Sequence, residues 1–156
     1  MQQYQIDKDN ALLLAVFQYM IGNDDWYVIS KHNIELLTCG PQKIKVAVPY
    51  DFDWSELVNA AHTLPKGIPV SKMASRRIYK GLCVEDSILG QTFQYLTEKK
   101  GDIENTINAF EYLPSNTKKQ SIRYVRKFYS TIGNKTSRQE VFGEHCLSTP
   151  DLFKEQ

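Results

Sequence analysis

Apolar residues fill one stretch near the start of the sequence almost completely. Between residues 11 and 21, Gln18 is the only clearly polar side chain. Acidic and amide residues precede this stretch, where they can cap a helix, and Gly22 follows it, where it can end one. A helix that is apolar on all sides belongs in the interior of a domain. We therefore predict a central buried helix that leads the chain directly into residues 22–25.

A β-hairpin is predicted next, because two strand-like stretches flank a turn that contains glycine and proline. The first stretch covers residues 34–38. The second covers residues 44–48, where apolar residues recur at every other position, which is the period of a strand. Residues 39–43 form the turn between them. The hairpin is predicted to end at Pro49, and the aromatic and acidic residues 50–54 follow as a loop.

Apolar residues recur at helical spacing in the second half of the chain. The predicted helices are residues 84–100, 101–113 and 115–132, with a short last helix within residues 136–146. Residues 59–70 contain two prolines and a glycine, and we expect them to be irregular. The whole pattern predicts an α+β chain that is mainly α-helical, with one β-hairpin, folded as a single domain over residues 1–156.

The composition is that of a folded protein and excludes few functions. Apolar residues make up 42% of the 156 residues, which is enough to bury a core. The 19 basic and 18 acidic residues leave a net charge of +1, which argues against nucleic-acid binding through bulk electrostatics. The first residues carry no signal-peptide pattern, and the longest apolar run is too short to span a bilayer. We therefore expect no membrane segment and a cytoplasmic location by default.

The three cysteines, Cys39, Cys83 and Cys146, are odd in number and widely spaced. No CxxC pair is present, so neither a zinc ribbon nor a dense disulfide framework is expected. Because unpaired cysteine is among the residue types most often buried, we predict buried free thiols.

Three polar residues stand out because of where the predicted elements place them. Asp25 follows the central helix, Asn33 begins the hairpin and Asp51 ends it. The two open ends of a hairpin lie side by side, so Asn33 and Asp51 should be neighbours, with Asp25 close to both. Carboxylate and amide oxygens suit Mg²⁺, which takes hard oxygen ligands and keeps several waters. The sequence therefore predicts a magnesium site at this end of the hairpin.

Short motifs around these residues resemble those of atypical kinases. Residues 16–25, VFQYMIGNDD, are similar to the run that leads into the catalytic loop of HipA-like kinases and of the spore-coat kinase CotH. His32 and Asn33, with the strand after them, resemble the metal-binding asparagine of those families. Residues 48–53, VPYDFD, resemble their counterpart of the kinase DFG segment. A longer match, over residues 17–81, is to a group of uncharacterised bacterial proteins that share the pattern IGNxDW, HN and PYDFDxSxLVNA.

The kinase resemblance implies a role for each matched residue. Asp25 would be the catalytic aspartate, and Asn33 and Asp51 would bind metal. Asp53 would be a further, weaker metal ligand. The resemblance also implies Mg²⁺ and ATP as cofactors, and a protein or a small molecule as the phosphate acceptor. The eight residues from Asp25 to Asn33 exceed the spacing in the protein-kinase loop, and a looped-out insertion would account for the difference.

The features of the kinase lobe that covers ATP do not precede the first predicted helix. That lobe carries a Gly-rich loop and a strand lysine, and residues 1–9 contain neither motif. We therefore expect this chain to be the C-terminal lobe. The nucleotide-clamping lobe would be absent from it or supplied by a partner chain, and the chain would be inactive alone.

Other interpretations of the same residues compete with a phosphotransferase. One is a catalytically silent kinase-like module that binds a partner or a small ligand, and another is a metal-dependent phosphohydrolase. The structural interpretation is that Asp25 caps or solvates a loop and that Asn33 serves only turn chemistry. In that case Asp51 and Asp53 would only be hydrated polar residues of the loop after the hairpin.

Overall fold

The computed structural model describes residues 6–58 and 77–147. In chain order the elements are α1 (Lys8–Ile21), β1 (Ile34–Cys39), β2 (Ile44–Pro49), a 3₁₀ turn (Glu56–Val58), α2 (Asp86–Glu98), α3 (Lys100–Ala109), α4 (Ser115–Gly133), α5 (Lys135–Arg138) and a π-helical turn (Gln139–Glu144). The two strands pair antiparallel. The α+β class, mainly α-helical with one β-hairpin, is therefore confirmed. The segment 59–70, predicted to be irregular, lies outside the described residues.

Helix α1 is the central element predicted from the apolar stretch. The Asp7 side chain accepts a hydrogen bond of 2.7 Å from the Asn10 amide and caps its start. Gly22 ends the helix in the left-handed conformation, at a φ of 68°, where a side chain would also collide with the Tyr124 hydroxyl. Gln18, the polar residue of the stretch, is 0% exposed. The helix is therefore enclosed on most of its sides.

One side of α1 is less enclosed than predicted. Leu13 and Phe17 are half-buried, and they line a groove of about 570 Å³. Apolar residues of β2, the 3₁₀ turn and α3 form its other walls, including Pro49, Leu57, Ile103 and Ile107. Helix α1 packs against α2 and α4, but one of its apolar sides stays open.

Phe142, in the π-helical turn, is the centre of an aromatic cluster that closes the core. Its ring centroid lies 5.0 Å from that of Tyr19 on α1, 4.8 Å from that of Tyr79 and 5.0 Å from that of Phe93 on α2. All four side chains are buried. Tilted and edge-to-face pairs at these distances stabilise a core beyond the area that they bury. The last described turn of the chain therefore packs directly on its first helix.

The hairpin is fixed to α1 through strand β2. The Asp7 amide donates to the Lys45 carbonyl at 2.9 Å, and the Ala47 amide donates to the Asn10 side-chain oxygen at 2.8 Å. Asp7 pairs with Lys45, and Asn10 pairs with Ala47 further along both elements. Strand β2 therefore runs along α1 towards the carboxyl end of the helix. The open end of the hairpin consequently lies near the carboxyl end of α1.

The later helices differ from the prediction at their ends. Helix α3 stops at Ala109 rather than at residue 113, because Phe110 adopts an extended conformation with a ψ of 102°. Phe110 was assigned to the apolar stripe of this helix, but it is 56% exposed. The last predicted helix, within residues 136–146, is divided into α5 and the π-helical turn. None of the described helices is both long enough and apolar enough to cross a membrane.

Cys83 and Cys146 form a disulfide, so the prediction of buried free thiols is wrong for this pair. Leu82 and Leu147, beside the two cysteines, form a parallel β-bridge that brings their segments together. Cys39 is free, as predicted, but it is exposed. Disulfides persist in oxidising compartments, which weighs against the cytoplasmic default drawn from the sequence.

Two adjacent leucines test the unequal burial of α1. Leu12→Ala is expected to lower the free energy of unfolding by about 2–5 kcal/mol, because Leu12 is 6% exposed and its loss leaves a cavity. Leu13→Ala, the matched control, is expected to cost less because Leu13 borders the open groove. Urea denaturation measures both changes. Equal losses would show that the groove side of α1 is as closely packed as its core side.

The disulfide is expected to stabilise the fold by closing a long loop. The two cysteines are 63 residues apart in sequence, so Cys83→Ser is expected to lower the free energy of unfolding by about 4 kcal/mol. Cys39→Ser is the control and should have little effect, because Cys39 is exposed and unpaired. Urea denaturation without reductant provides the measurement. A reductant should destabilise the wild-type protein and leave Cys83→Ser unchanged, and equal sensitivity of both would contradict the bridge.

Candidate functional site

The residues after α1 form a small loop that returns the chain to Asp25. Tyr27 and His32 exchange two main-chain hydrogen bonds of 2.9 Å, and residues 28–31 are looped out between them. Lys31 adopts a φ of 55° in this turn. The sequence separation of eight residues between Asp25 and Asn33 is thereby reduced to direct contact. A looped-out insertion around residues 27–29 was expected to account for the long spacing, and residues 28–31 are looped out, while Tyr27 is paired with His32 instead.

Two buried side chains hold the start of this loop. Asn23 is 1% exposed, and its Oδ1 accepts a hydrogen bond of 3.1 Å from the Asp25 amide. Trp26 is 4% exposed and belongs to the main hydrophobic core. Asp25 therefore sits between two anchored neighbours, on backbone whose position is set by the end of α1. Neither anchor was predicted as a functional residue, although both belong to the IGNxDW pattern.

Asp25 is the centre of a hydrogen-bonded cluster with His32 and Asn33, which we call the Asp25 cluster. The Asp25 Oδ1 lies 2.8 Å from the His32 Nε2, and the Asp25 Oδ2 accepts a bond of 3.0 Å from the Asn33 Nδ2. The same Asn33 nitrogen donates to the Asp25 main-chain oxygen at 2.8 Å. The Asp25 side chain is 37% exposed, and a carboxylate can accept more than these two bonds. It is thus oriented by its neighbours and still accessible to a hydroxyl from solvent.

Asp51 follows the residue that pairs with Asn33. The Tyr50 amide donates to the Asn33 carbonyl at 3.0 Å, which extends the hairpin by one pair beyond its strands. Asn33 and Asp51 have φ values of 52° and 57°, a left-handed conformation that these two residue types tolerate. Asp53 is exposed two residues further on, and its amide lies 3.5 Å from the Asp51 Oδ1. The predicted contact of Asp25 with Asn33 is therefore present, and Asp51 begins the adjacent loop.

The side-chain oxygens of Asn33 and Asp51 near the end of the hairpin can be compared with the coordination that Mg²⁺ prefers. Asn33 uses its nitrogen towards Asp25, and its Oδ1 makes no hydrogen bond within the described residues. Asp51 is exposed, and among the described residues its carboxylate accepts one contact of 3.5 Å, from the Asp53 amide. Within residues 6–58 and 77–147, no three His, Cys, Asp or Glu side chains converge as metal ligands. Amide and carboxylate oxygens are the type of ligand that Mg²⁺ takes, with waters completing its coordination.

Two basic residues lie near the end of α1 and have different surroundings. The Lys80 ammonium donates to the Asp24 carbonyl and lies 5.4 Å from the centre of the Tyr27 ring. Arg77 is packed inside, with its guanidinium carbon 3.8 Å from the centre of the Tyr124 ring, and it donates to the Met20 carbonyl at 3.2 Å. Burial lowers the pKa of Arg77.

Arg77 therefore has a structural role, since it ties the end of α1 to α4. Lys80 was not singled out as a functional residue, although it lies in the matched stretch 77–81. It places a cation beside the loop that carries Asp25.

Aromatic residues border the Asp25 cluster on the side of the loop after β2. Tyr50, Phe52 and Trp54 are 49%, 41% and 47% exposed. The Phe52 ring meets the Phe17 ring of α1 edge-on, with centroids 6.2 Å apart. Because Phe17 also lines the groove beside α1, the loop that carries Asp51 adjoins the end of that groove.

Substitution of Asp25 tests whether the cluster is needed for stability. Asp25→Asn is expected to lower the free energy of unfolding by about 1 kcal/mol, because the lost charge weakens two hydrogen bonds at a partly exposed position. Asp51→Asn should have almost no effect, since Asp51 is exposed. Urea denaturation measures both, with Asp102→Asn on α3 as a control for losing an exposed carboxylate. A loss of several kcal/mol for Asp25→Asn would identify a structural acceptor.

The Asp25 cluster is the part of the described chain where the sequence motifs and the geometry coincide. No family model, no curated protein and no solved structure matches the chain. The case for a function therefore depends on the cluster itself and on the short motifs around it.

Proposed function

We propose that this chain is the metal- and acceptor-binding lobe of an atypical kinase-like phosphotransferase that uses Mg²⁺ and ATP. The observation that carries the proposal is the contact of Asp25 with Asn33, made across a loop closed by Tyr27 and His32. A general base must be oriented and must lie within hydrogen-bonding reach of the hydroxyl on which it acts. Asp25 is oriented by two side chains, and its exposure leaves room for the hydroxyl.

Each residue has its own task in the proposed reaction. Asp25 orients the acceptor hydroxyl and takes up its proton as the hydroxyl oxygen bonds to the terminal phosphorus of ATP and ADP leaves. Asn33 positions Asp25 with its nitrogen. The Asn33 oxygen and the Asp51 carboxylate would hold the cation. When bound, Mg²⁺ supplies charge neutralisation at the phosphate oxygens. Asp53 is the weaker ligand of the set.

The groove beside α1 favours a second function, a module that binds a partner without catalysis. Its walls are almost entirely apolar, and it adjoins the exposed aromatic residues Tyr50 and Phe52. Apolar concavities of this size are the usual form of ligand sites. In that case the Asp25 cluster would fix the loop beside the groove and would have no catalytic task.

Metal binding by the chain is the first test of the phosphotransferase proposal. Mn²⁺ at millimolar concentration is expected to broaden the backbone NMR signals of Asn33 and Asp51, because two protein oxygens bind a cation weakly. Asp51→Asn should abolish this local broadening, and Asp102→Asn, which removes a remote exposed carboxylate, should not. Broadening that is absent or that survives Asp51→Asn would contradict the proposed ligands.

Nucleotide affinity and phosphoryl transfer separate the two candidate functions. Calorimetry is expected to show ATP binding weaker than micromolar for these 156 residues alone, because the lobe that clamps ATP is not among the matched motifs. Where that lobe is supplied, Asp25→Asn should reduce transfer from ATP at least about 100-fold while nucleotide affinity is retained. Asp51→Asn should instead weaken the binding of the metal–nucleotide complex. Wild-type transfer rates in both variants, with wild-type melting, would contradict the roles assigned to Asp25 and Asp51, and no transfer by the wild-type protein with that lobe supplied would leave only the binding module.

A further inference from the structure

Helix α4 has a row of basic residues on its outer surface. The helix contains five lysines and arginines and no acidic residue. Lys119, Arg123 and Lys127 recur at every fourth position and are all exposed, whereas Ser121, Val125 and other residues of the opposite side are buried. The three therefore form a line about 12 Å long on the side of α4 that faces away from the core. We call Lys119, Arg123 and Lys127 the basic stripe.

The charges of the basic stripe are not neutralised by the described part of the fold. The other two basic residues of α4 are engaged: Lys118 donates to the Asn108 carbonyl at 2.6 Å, and Arg126 forms a two-bond ion pair with Glu104 at 2.6 and 2.9 Å. The stripe residues form no ion pair or side-chain hydrogen bond within residues 6–58 and 77–147. Three positive charges are thus available to an external anion.

Two exposed aromatic residues lie in the turn that leads into α4. Phe110 and Tyr112 are 56% and 88% exposed, and their rings meet edge-on with centroids 6.0 Å apart. Glu111 between them is the acidic residue of this turn. We call Phe110 and Tyr112 the aromatic tip. Aromatic side chains at an exposed turn are suited to the boundary between lipid headgroups and acyl chains, where such rings are enriched.

We propose that the basic stripe and the aromatic tip dock this protein on the surface of an anionic lipid bilayer. Lysine and arginine near such a surface are attracted to its acidic headgroups, and each contributes about fivefold to the partition coefficient. The aromatic rings insert at headgroup depth, as in proteins that lie on a membrane without crossing it. None of these residues belongs to the Asp25 cluster, so the inference is independent of the proposed function.

A bilayer fits the observations better than a nucleic acid, which is the other polyanion that basic and aromatic residues bind. The basic stripe lies on the outward side of a helix, whereas single-stranded nucleic acid is usually bound along a positively charged groove. The net charge of the chain is only +1, so attraction must come from one local surface. A flat array of headgroups can contact the stripe without surrounding it.

Co-sedimentation with lipid vesicles tests the proposal on the whole chain. We expect binding to vesicles of phosphatidylcholine mixed with phosphatidylserine, and no binding to vesicles of phosphatidylcholine alone. The triple variant Lys119→Gln, Arg123→Gln and Lys127→Gln should reduce the partition coefficient by about 100-fold. The matched control Lys8→Gln, Lys43→Gln and Lys135→Gln removes the same charge from exposed positions elsewhere and should bind nearly as well as wild type.

Further variants separate the contributions of charge, insertion and folding. Tyr112→Ser should lower the partition coefficient without changing the thermal melt, because Tyr112 is almost fully exposed. Arg123→Gln alone should reduce binding about fivefold, which keeps the test valid if the triple variant folds poorly. Raised ionic strength should weaken binding by wild type.

Three results would overturn the inference. Equal binding to neutral and anionic vesicles would exclude recognition of the headgroup charge. Equal loss in the stripe variant and its matched control would exclude the stripe as the contact. Binding of a single-stranded oligonucleotide at protein concentrations that give no vesicle binding would assign the surface to nucleic acid instead.

Discussion

Helix α1 lies against most of the other elements, and its burial is the constraint on which their positions depend. The hairpin is hydrogen-bonded along it, the π-helical turn packs on Tyr19 through Phe142, and Arg77 ties its last turn to α4. Because the helix is apolar at nearly every position, no orientation of it would be stable at a surface. The later helices α2 and α4 therefore pack against it, and the loop that follows it is held by residues buried beside its end.

The elements with a strong periodic pattern could be predicted from the sequence, and those decided by distant contacts could not. Helix α1 and the hairpin follow from the apolar pattern and from the turn residues around Gly40. The disulfide could not be predicted, since pairing of Cys83 with Cys146 depends on a β-bridge between segments far apart in sequence. The end of α3 was placed too late because Phe110 continues the apolar spacing, although its backbone is extended and its ring is exposed.

The candidate site shows the same division between local pattern and tertiary contact. The proximity of Asp25 to Asn33 could be predicted from the order of a helix, a loop and a hairpin. In this order the short loop has to connect the end of the helix to the start of the hairpin, which keeps the two residues close. The bridge between Tyr27 and His32, which shortens that loop, has no clear sequence signal. The anchoring of the loop by Asn23 and Trp26 depends on their burial, and no single sequence reveals that burial. The chemical roles of Asp25, Asn33 and Asp51 stay predictions.

The disulfide has a consequence for the order in which the molecule is assembled. It closes a covalent ring that contains α2 to α5, while α1 and the hairpin lie outside that ring in the chain. During synthesis α1 appears first, whereas Cys146 becomes available only after all five helices have been made. Pairing of the two cysteines therefore follows the synthesis of every element inside the ring. Oxidation then joins the two ends of the segment that carries α2 to α5. Helix α1 packs against that segment through non-covalent contacts.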